Sequence, residues 1–232
     1  MIESVKTASD YLLGRGPVAL TAMKFVLPLA IIPLALGLLY LSQPYETFLL
    51  YTTVSAAYFV PPAGKESLIP LAILAGQPWW LITILFVALD AAVALFIAWN
   101  FELAMKVPLL GRLLKRGLAV MNEYSEAHPG IRSVSTVGLF LFVFFPFQGT
   151  GAMNGSILGR LLGMDAERVF ACVMAGSIGS CLTIALGTDL IVTLYRQNPL
   201  LGIAVLLLAV LGAAGAFFGW RRHQRRLRER MP

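Results

Sequence analysis

The chain has 232 residues, of which 58% are hydrophobic and 13% are charged, with a formal net charge of +6. Soluble domains carry about 25% charged residues, so this composition excludes an ordinary soluble globule and a disordered chain. The basic residues flank apolar runs, which favours a membrane flank facing anionic lipid over a nucleic-acid-binding tail. We therefore predict membrane lipids as partners and no nucleic acid.

The apolar runs divide the chain into predicted elements. Residues 1–17 carry charges without an apolar core and are predicted to form an interfacial segment. A bilayer takes about 20 apolar residues to cross, and the runs that meet this length are 18–41, 79–99, 169–195 and 199–220. A basic amphipathic segment at 101–133 and a basic tail at 221–232 complete the chain. The fold class is an all-α integral membrane protein with about four transmembrane helices in one membrane domain, 18–220.

Two further apolar stretches are broken in the middle. Stretch 48–75 contains Pro61-Pro62-Ala63-Gly64, and stretch 134–162 contains Pro146-Phe147-Gln148-Gly149-Thr150-Gly151. Proline blocks a helix and glycine permits a tight reversal, and each remaining arm is too short to cross alone. We predict a re-entrant hairpin for each stretch; the alternative is a single kinked helix.

The distribution of basic residues predicts the topology. Cytoplasmic segments carry an excess of lysine and arginine, which places both 101–133 and the tail inside. With two re-entrant hairpins, both termini lie in the cytoplasm of a multi-pass protein of the cell membrane. The hairpins then enter from opposite sides.

The two broken stretches are predicted to be an internal repeat. Residues 60–64 can be laid on residues 145–149 at a shift of 85, which gives repeats at about 45–100 and 134–195. Opposite entry makes this an inverted repeat, with a site where the broken tips meet. The alternative is a chance alignment of proline and glycine.

Three charged residues of the first repeat are candidate site residues. Lys65 and Glu66 stand at the first break, and Asp90 lies near the centre of the 79–99 span. A charge at the bilayer centre costs about 2.5–3.5 kcal/mol, so such groups face protein or water and are functional by default. Lys65 and Glu66 could instead neutralise each other structurally. Asp90 is predicted to be a proton site or a partner of Lys65, Arg160 or Lys24.

The second break carries polar candidates. Gln148, Thr150 and Asn154 could bind an anionic headgroup with side chains and free backbone amides, or could cap the broken helices. Arg160 suits a phosphate but could also snorkel to the interface.

An intramembrane enzyme is the competing class, and the sequence argues against it. His128 and His223 are isolated, and neither an HExxH nor a GxSxG motif is present. We predict no enzymatic activity, no cofactor and no metal site.

The motifs at the breaks resemble a known family. Gly64-Lys65-Glu66-Ser67-Leu68-Ile69-Pro70, followed by Gly76, and the motif at 145–151 resemble the putative small multidrug export proteins, which are distantly similar to the DedA/VTT membrane proteins. The resemblance covers about residues 45–195. It implies two re-entrant hairpins and transport or scrambling of lipids, including polyprenyl phosphates, with proton-motive coupling.

The resemblance also assigns site residues. Glu66 matches the hairpin glutamate, whereas the arginine-bearing motif of the DedA second hairpin is not matched. The prediction is a transporter or scramblase for a lipid or lipid-linked anion, with protons as the coupling ion. The alternatives are a multidrug-type exporter and a non-transporting assembly factor. Small-residue faces are compatible with a homo-oligomer.

Overall fold

The computed structural model describes residues 17–60, 62–106, 111–112, 114, 116, 131–146, 150–208, 210–212 and 215. The predicted interfacial segment, the basic tail and most of segment 101–133 lie outside these residues. So do four residues of the breaks, Pro61, Phe147, Gln148 and Gly149.

The described chain is built of helices. In chain order these are α1 (Pro17–Ser42), α2 (Tyr45–Tyr58), α3 (Lys65–Leu74), α4 (Trp79–Ala104), α5 (Ile131–Phe144), α6 (Ala152–Leu161) and α7 (Ala166–Gln197). A shorter apolar helix, Pro199–Gly212, follows. The chain forms two compact units, Met1–Ala185 and Leu186–Pro232, and the candidate site lies in the first.

Three of the helices are long and apolar enough to cross a bilayer. They are Ala22–Ser42, Trp79–Ala104 and Ala166–Gln197. The all-α membrane fold is therefore confirmed, with long helices at three of the four predicted spans. The fourth prediction, 199–220, runs beyond the described residues.

Each broken stretch contains two short helices, and the residues that the structure describes between them are not helical. The first arms, α2 and α5, have 14 residues each, and the return arms, α3 and α6, have 10 each. At 1.5 Å per residue these lengths are about 21 Å and 15 Å, well short of a hydrocarbon core of about 30 Å. The re-entrant path of these arms through the membrane stays a prediction.

The two halves of the chain, the predicted repeats at about 45–100 and 134–195, have equivalent glycines at the same spacing. Gly64 and Gly151 are the extended N-cap residues of α3 and α6, and they are 87 residues apart. Gly76 and Gly163, also 87 apart, take positive φ angles of 89° and 75° in the turns that lead into α4 and α7. A left-handed residue of this kind ends a helix and favours glycine. The register of the repeat is therefore 87, two residues more than the sequence alignment gave.

The hydrogen bonds of these two turns are also equivalent. Gln77 N–H donates to the Ala72 carbonyl at 3.1 Å, and Met164 N–H donates to the Gly159 carbonyl at 3.1 Å. Both are the wide bond of a Schellman cap, which satisfies carbonyls at a helix end. Helices α4 and α7 thus start from the same local geometry.

Helix α1 packs against α4 at a point where proline breaks its hydrogen bonding. Pro28 has no N–H to donate to the carbonyl of Lys24, four residues earlier. The Asn100 side chain of α4 donates to that carbonyl at 3.0 Å, and also to the Phe96 carbonyl at 2.9 Å. A polar residue in a buried helix face is therefore explained by a proline in the neighbouring helix.

Close packing of α5, α6 and α7 depends on glycines. A Cβ at Gly176 of α7 would lie 2.8 Å from the Phe140 carbonyl oxygen and 2.9 Å from Val143 Cβ. A Cβ at Gly159 of α6 would lie 2.7 Å from Leu139. Small residues allow helix backbones to approach closely inside membranes. The helices around the second break are thus held in a compact group.

Candidate functional site

Lys65 is the first residue of α3 and is almost completely buried, with 1% of its side chain exposed. Its ammonium nitrogen lies 3.0 Å from Oδ2 of Asp90, whose side chain is 0% exposed. A buried charge is tolerated only when it is paired and hydrogen-bonded. The partner of Lys65 is therefore Asp90, twenty-five residues away, and not the adjacent Glu66.

Two hydroxyl groups complete the surroundings of the Asp90 carboxylate. Tyr58, the last residue of α2, donates to Oδ1, and Ser177 of α7 donates to Oδ2. Four helices thus converge on one carboxylate, which accepts three hydrogen bonds. Of the two roles predicted for Asp90, the geometry supports the pairing role, because its carboxylate is the counter-charge of the buried Lys65 ammonium.

Tyr58 is held in place by aromatic neighbours. Its ring makes an edge-to-face contact with Phe86 of α4, with ring centroids 5.6 Å apart, and a second with Phe59 at 5.2 Å. Such contacts fix the ring plane. The hydroxyl can therefore point at Asp90 from the end of a short helix.

A cavity of about 520 Å³ lies where the two breaks meet. Its walls come from the end of α2, the first break, the start of α3, one residue of α4 and the start of α6. The lining residues are Tyr58, Phe59, Pro62, Ala63, Gly64, Lys65, Glu66, Val93, Gly151, Met153 and Asn154. The structure thus brings the two breaks together around one cavity.

Glu66 lines this cavity and is half-buried. Its carboxylate folds back over Gly64, where a Cβ on that glycine would clash with Oε2. An acidic group in the first turn of a helix is stabilised by the partial positive charge of the helix N-terminus. Pro70 has no N–H to donate to the backbone carbonyl of Glu66, four residues earlier. That carbonyl is therefore an additional hydrogen-bond acceptor near the break.

The second break contributes Gly151 to the cavity, and the first turn of α6 contributes Met153 and Asn154. Helix α6 starts there with no acidic residue in its first turn. Thr150 donates its hydroxyl hydrogen bond to the Phe145 carbonyl at 2.6 Å, which closes the end of α5. Thr150 therefore plays a local role in the break, and Pro146 is likewise non-helical.

Arg160 lies at the other end of α6 and is not among the residues that line the cavity. Its guanidinium donates to the Met164 carbonyl at 2.9 Å, sits 5.4 Å from the centroid of the Phe101 ring and lies 3.7 Å from the Glu102 carboxylate. The structure thus separates Arg160 from the other candidates. It ties the last turn of α6 to the end of α4.

Sequence reasoning missed two residues of the site. Neither Tyr58 nor Ser177 was predicted as a site residue. The signal that could have found Ser177 is the register of the repeat, because Ser177 is 87 residues after Asp90. Within the described residues, no group of three or more His, Cys, Asp or Glu side chains could hold a metal ion.

Comparison with known protein families gives a match over residues 67–183 to the family described as Putative small multi-drug export protein. The match covers half of the chain. The chain belongs to this family. Its matched region includes α4, α6 and most of α7, and therefore Asp90 and Ser177. No curated protein matches the chain, and no solved structure matches it. Membership and the three long apolar helices together identify a membrane protein of an export family.

Proposed function

We propose that this small multi-drug export family member is a membrane transporter whose substrate binds in the cavity between the two helix breaks. The observation that carries the proposal is that residues of both breaks line one cavity. Transporters built from repeats place the substrate at the repeat interface, where discontinuous helices leave irregular backbone. Such backbone is tolerated at membrane depth only where it is buried in protein or lines a cavity.

The substrate class that we propose is a lipid or a lipid-linked anion, such as a phospholipid or a polyprenyl phosphate. The N-cap residues of α3 and α6, Gly64 and Gly151, both line the cavity. Helix N-termini carry a partial positive charge and free amide donors, which favour an anionic group. The apolar side chains of Phe59, Val93 and Met153 would contact the hydrocarbon part.

Proton coupling through Glu66 is part of the proposal. Glu66 stands in the cavity, and its ionised carboxylate would repel an anionic substrate. A protonated Glu66 removes that repulsion, so an anion and a proton would occupy the site together. This arrangement links substrate affinity to pH.

An exporter of small molecules is the second candidate. The description of the family and the largely apolar lining of the cavity favour it. The two candidates differ in what must move. A lipid transporter changes the leaflet distribution of labelled phospholipid, whereas an exporter lowers the internal concentration of a dye.

The test is reconstitution of the full chain in liposomes that carry a headgroup-labelled phospholipid, with an encapsulated dye in parallel vesicles. We expect movement of the lipid label above that of protein-free vesicles. Gly151→Leu should abolish this movement, because the added side chain would fill the cavity. The variant should still fold, since φ is −68° at Gly151, an angle that any residue can adopt. Gly138→Leu is the matched control, since a Cβ at Gly138 meets nothing within 4 Å.

Three results separate the candidates. Lipid movement that Gly151→Leu blocks and Gly138→Leu does not block supports lipid transport. Dye movement with the same sensitivity and no lipid movement supports the exporter. Equal activity of the two leucine variants would place the substrate path outside this cavity.

A further inference from the structure

The register of the repeat relates two residues that touch each other. Landmarks of the two halves are 87 residues apart: the N-caps Gly64 and Gly151, and the turn glycines Gly76 and Gly163. The same shift takes Asp90 of α4 to Ser177 of α7. The Ser177 hydroxyl donates to Oδ2 of Asp90, the oxygen that also accepts from Lys65 at 3.0 Å.

A contact between equivalent residues has a geometric meaning. When two copies of a unit are related by a two-fold axis, a residue meets its own counterpart only close to that axis, as in an isologous dimer. The Asp90–Ser177 hydrogen bond therefore marks where a pseudo-two-fold axis between the halves would pass. Both side chains are 0% exposed, so the position is in the interior of the first unit.

The two halves contribute different side chains around this position, although their helices and turns are equivalent. At the shift of 87, the first half supplies Lys65, Asp90 and Tyr58, and the second half has Ala152, Ser177 and Phe145. Ala152 is 0% exposed and packs in an apolar cluster formed by residues of α4 to α7. One half therefore provides both charges, and the other contributes only a hydroxyl.

Two members of this network also form the cavity wall. Lys65 and Tyr58 both line the cavity and both bond to Asp90. Ser177 is not among the lining residues, but it reaches them through the carboxylate that they share. A change at Ser177 would therefore move the cavity wall through Asp90.

We propose that Ser177 is a positioning residue of the transport cavity, acting at the pseudo-two-fold axis through Asp90 on Lys65 and Tyr58. The role in transport rests on the proposed function, whereas the axis rests on the geometry alone. Because equivalent positions meet there, a carboxylate moved from residue 90 to residue 177 would occupy nearly the same place. Lys65 would then still have a counter-charge.

The test exchanges the two side chains. Asp90→Ser leaves Lys65 buried without a partner, which we expect to lower the melting temperature of the purified full chain by about 10 °C. The double variant Asp90→Ser with Ser177→Asp should recover at least about half of that loss. Asp90→Ser with Ser180→Asp is the matched control, because Ser180 is also on α7 and 0% exposed but is not the equivalent of Asp90. Adding Lys65→Met should remove the advantage of the exchange over the control.

A second measurement examines positioning in transport. Ser177→Ala should raise the substrate concentration for half-maximal transport about threefold or more, with the melting temperature within about 2 °C of the wild type. Ser177→Thr, which keeps the hydroxyl, should stay near the wild-type value. If Ser177→Ala lowers the melting temperature but leaves the substrate concentration for half-maximal transport unchanged, the serine is only structural.

The outcomes distinguish the two proposals. An exchange variant no more stable than Asp90→Ser, or no more stable than the Ser180 control, would overturn the axis. If Asp90→Ser does not fold, the same comparison is made on the yield of monodisperse protein. If the wild type moves no substrate while the exchange still restores stability, the transport proposal fails and the axis stands.

Discussion

Glu66 and Lys65 are adjacent in sequence but have different surroundings. Lys65 is paired with Asp90 inside the protein, whereas Glu66 lines the cavity beside the N-terminus of α3. The adjacent pair of the sequence is thus divided between an interior network and the cavity wall. This division makes the two charges separately testable.

We expect Glu66→Gln to abolish the pH dependence of transport while leaving the protein folded. Glutamine has nearly the size of protonated glutamic acid and cannot ionise. Glu66→Asp should keep the pH dependence at a lower rate, because the carboxylate is retained on a shorter chain. The measurement is transport in proteoliposomes across roughly pH 5–8, around and above the usual glutamate range.

Two outcomes would contradict the assignment. A folded Glu66→Gln variant with wild-type pH dependence would move the proton role to another residue. A variant that fails to insert or fold would make Glu66 a structural cap of α3.

Asn100 of α4 is expected to compensate for Pro28 of α1. Asn100→Leu should destabilise the protein by about 1–2 kcal/mol, because it leaves the Lys24 carbonyl without a donor. In a Pro28→Ala background the helix itself supplies an N–H to that carbonyl, so the same substitution should cost less. A double-mutant cycle on the free energy of unfolding measures this difference. Additive effects of the two substitutions would show that the hydrogen bond is not the reason for the asparagine.

At the scale of elements, the second broken stretch depends on the close approach of α5 and α7. Gly176→Ala should destabilise the protein by about 1–3 kcal/mol, because its Cβ would meet the Phe140 carbonyl and Val143, which forces the helices apart. Gly138→Ala on α5 is the control; its Cβ meets nothing within 4 Å, and alanine is the better helix former. Thermal unfolding of both variants in the same detergent is the measurement. Equal melting temperatures would show that the contact at Gly176 relaxes without cost.

At the scale of the whole molecule, the distribution of basic residues predicts opposite orientations of the two halves in the membrane. An inverted repeat places the turns between the return arm and the following long helix on opposite sides of the membrane. Ala75 and Asp165 lie in these turns, and both are exposed. They are therefore suitable positions for labelling.

We expect Ala75→Cys to react with a membrane-impermeant thiol reagent from outside the cell, and Asp165→Cys to react only from the cytoplasmic side. The background carries substitutions of Cys172 and Cys181, which are both buried. Reaction of both positions from one side would give parallel halves and would contradict the hairpin topology. The result also tests the cytoplasmic placement of the termini, which follows from the same charge distribution.

The sequence alone determined the features that depend on neighbouring residues. Apolar length predicts a membrane span because the bilayer thickness is fixed, and α1, α4 and α7 lie at three of the predicted runs. Proline and glycine predict the breaks because their effects on the backbone are local. Helices α2, α3, α5 and α6 lie on either side of these breaks.

Tertiary structure decided the contacts of the site. Lys65 had several candidate partners, and only the packing of α3 on α4 selected Asp90. Ser177 lies 87 residues beyond Asp90, and only the packing of α7 brings its hydroxyl to the carboxylate. The separation of Arg160 from the cavity is likewise set by which end of α6 faces the first break. Such contacts depend on how helices stack, and a pattern of residue types along one chain does not specify which faces meet.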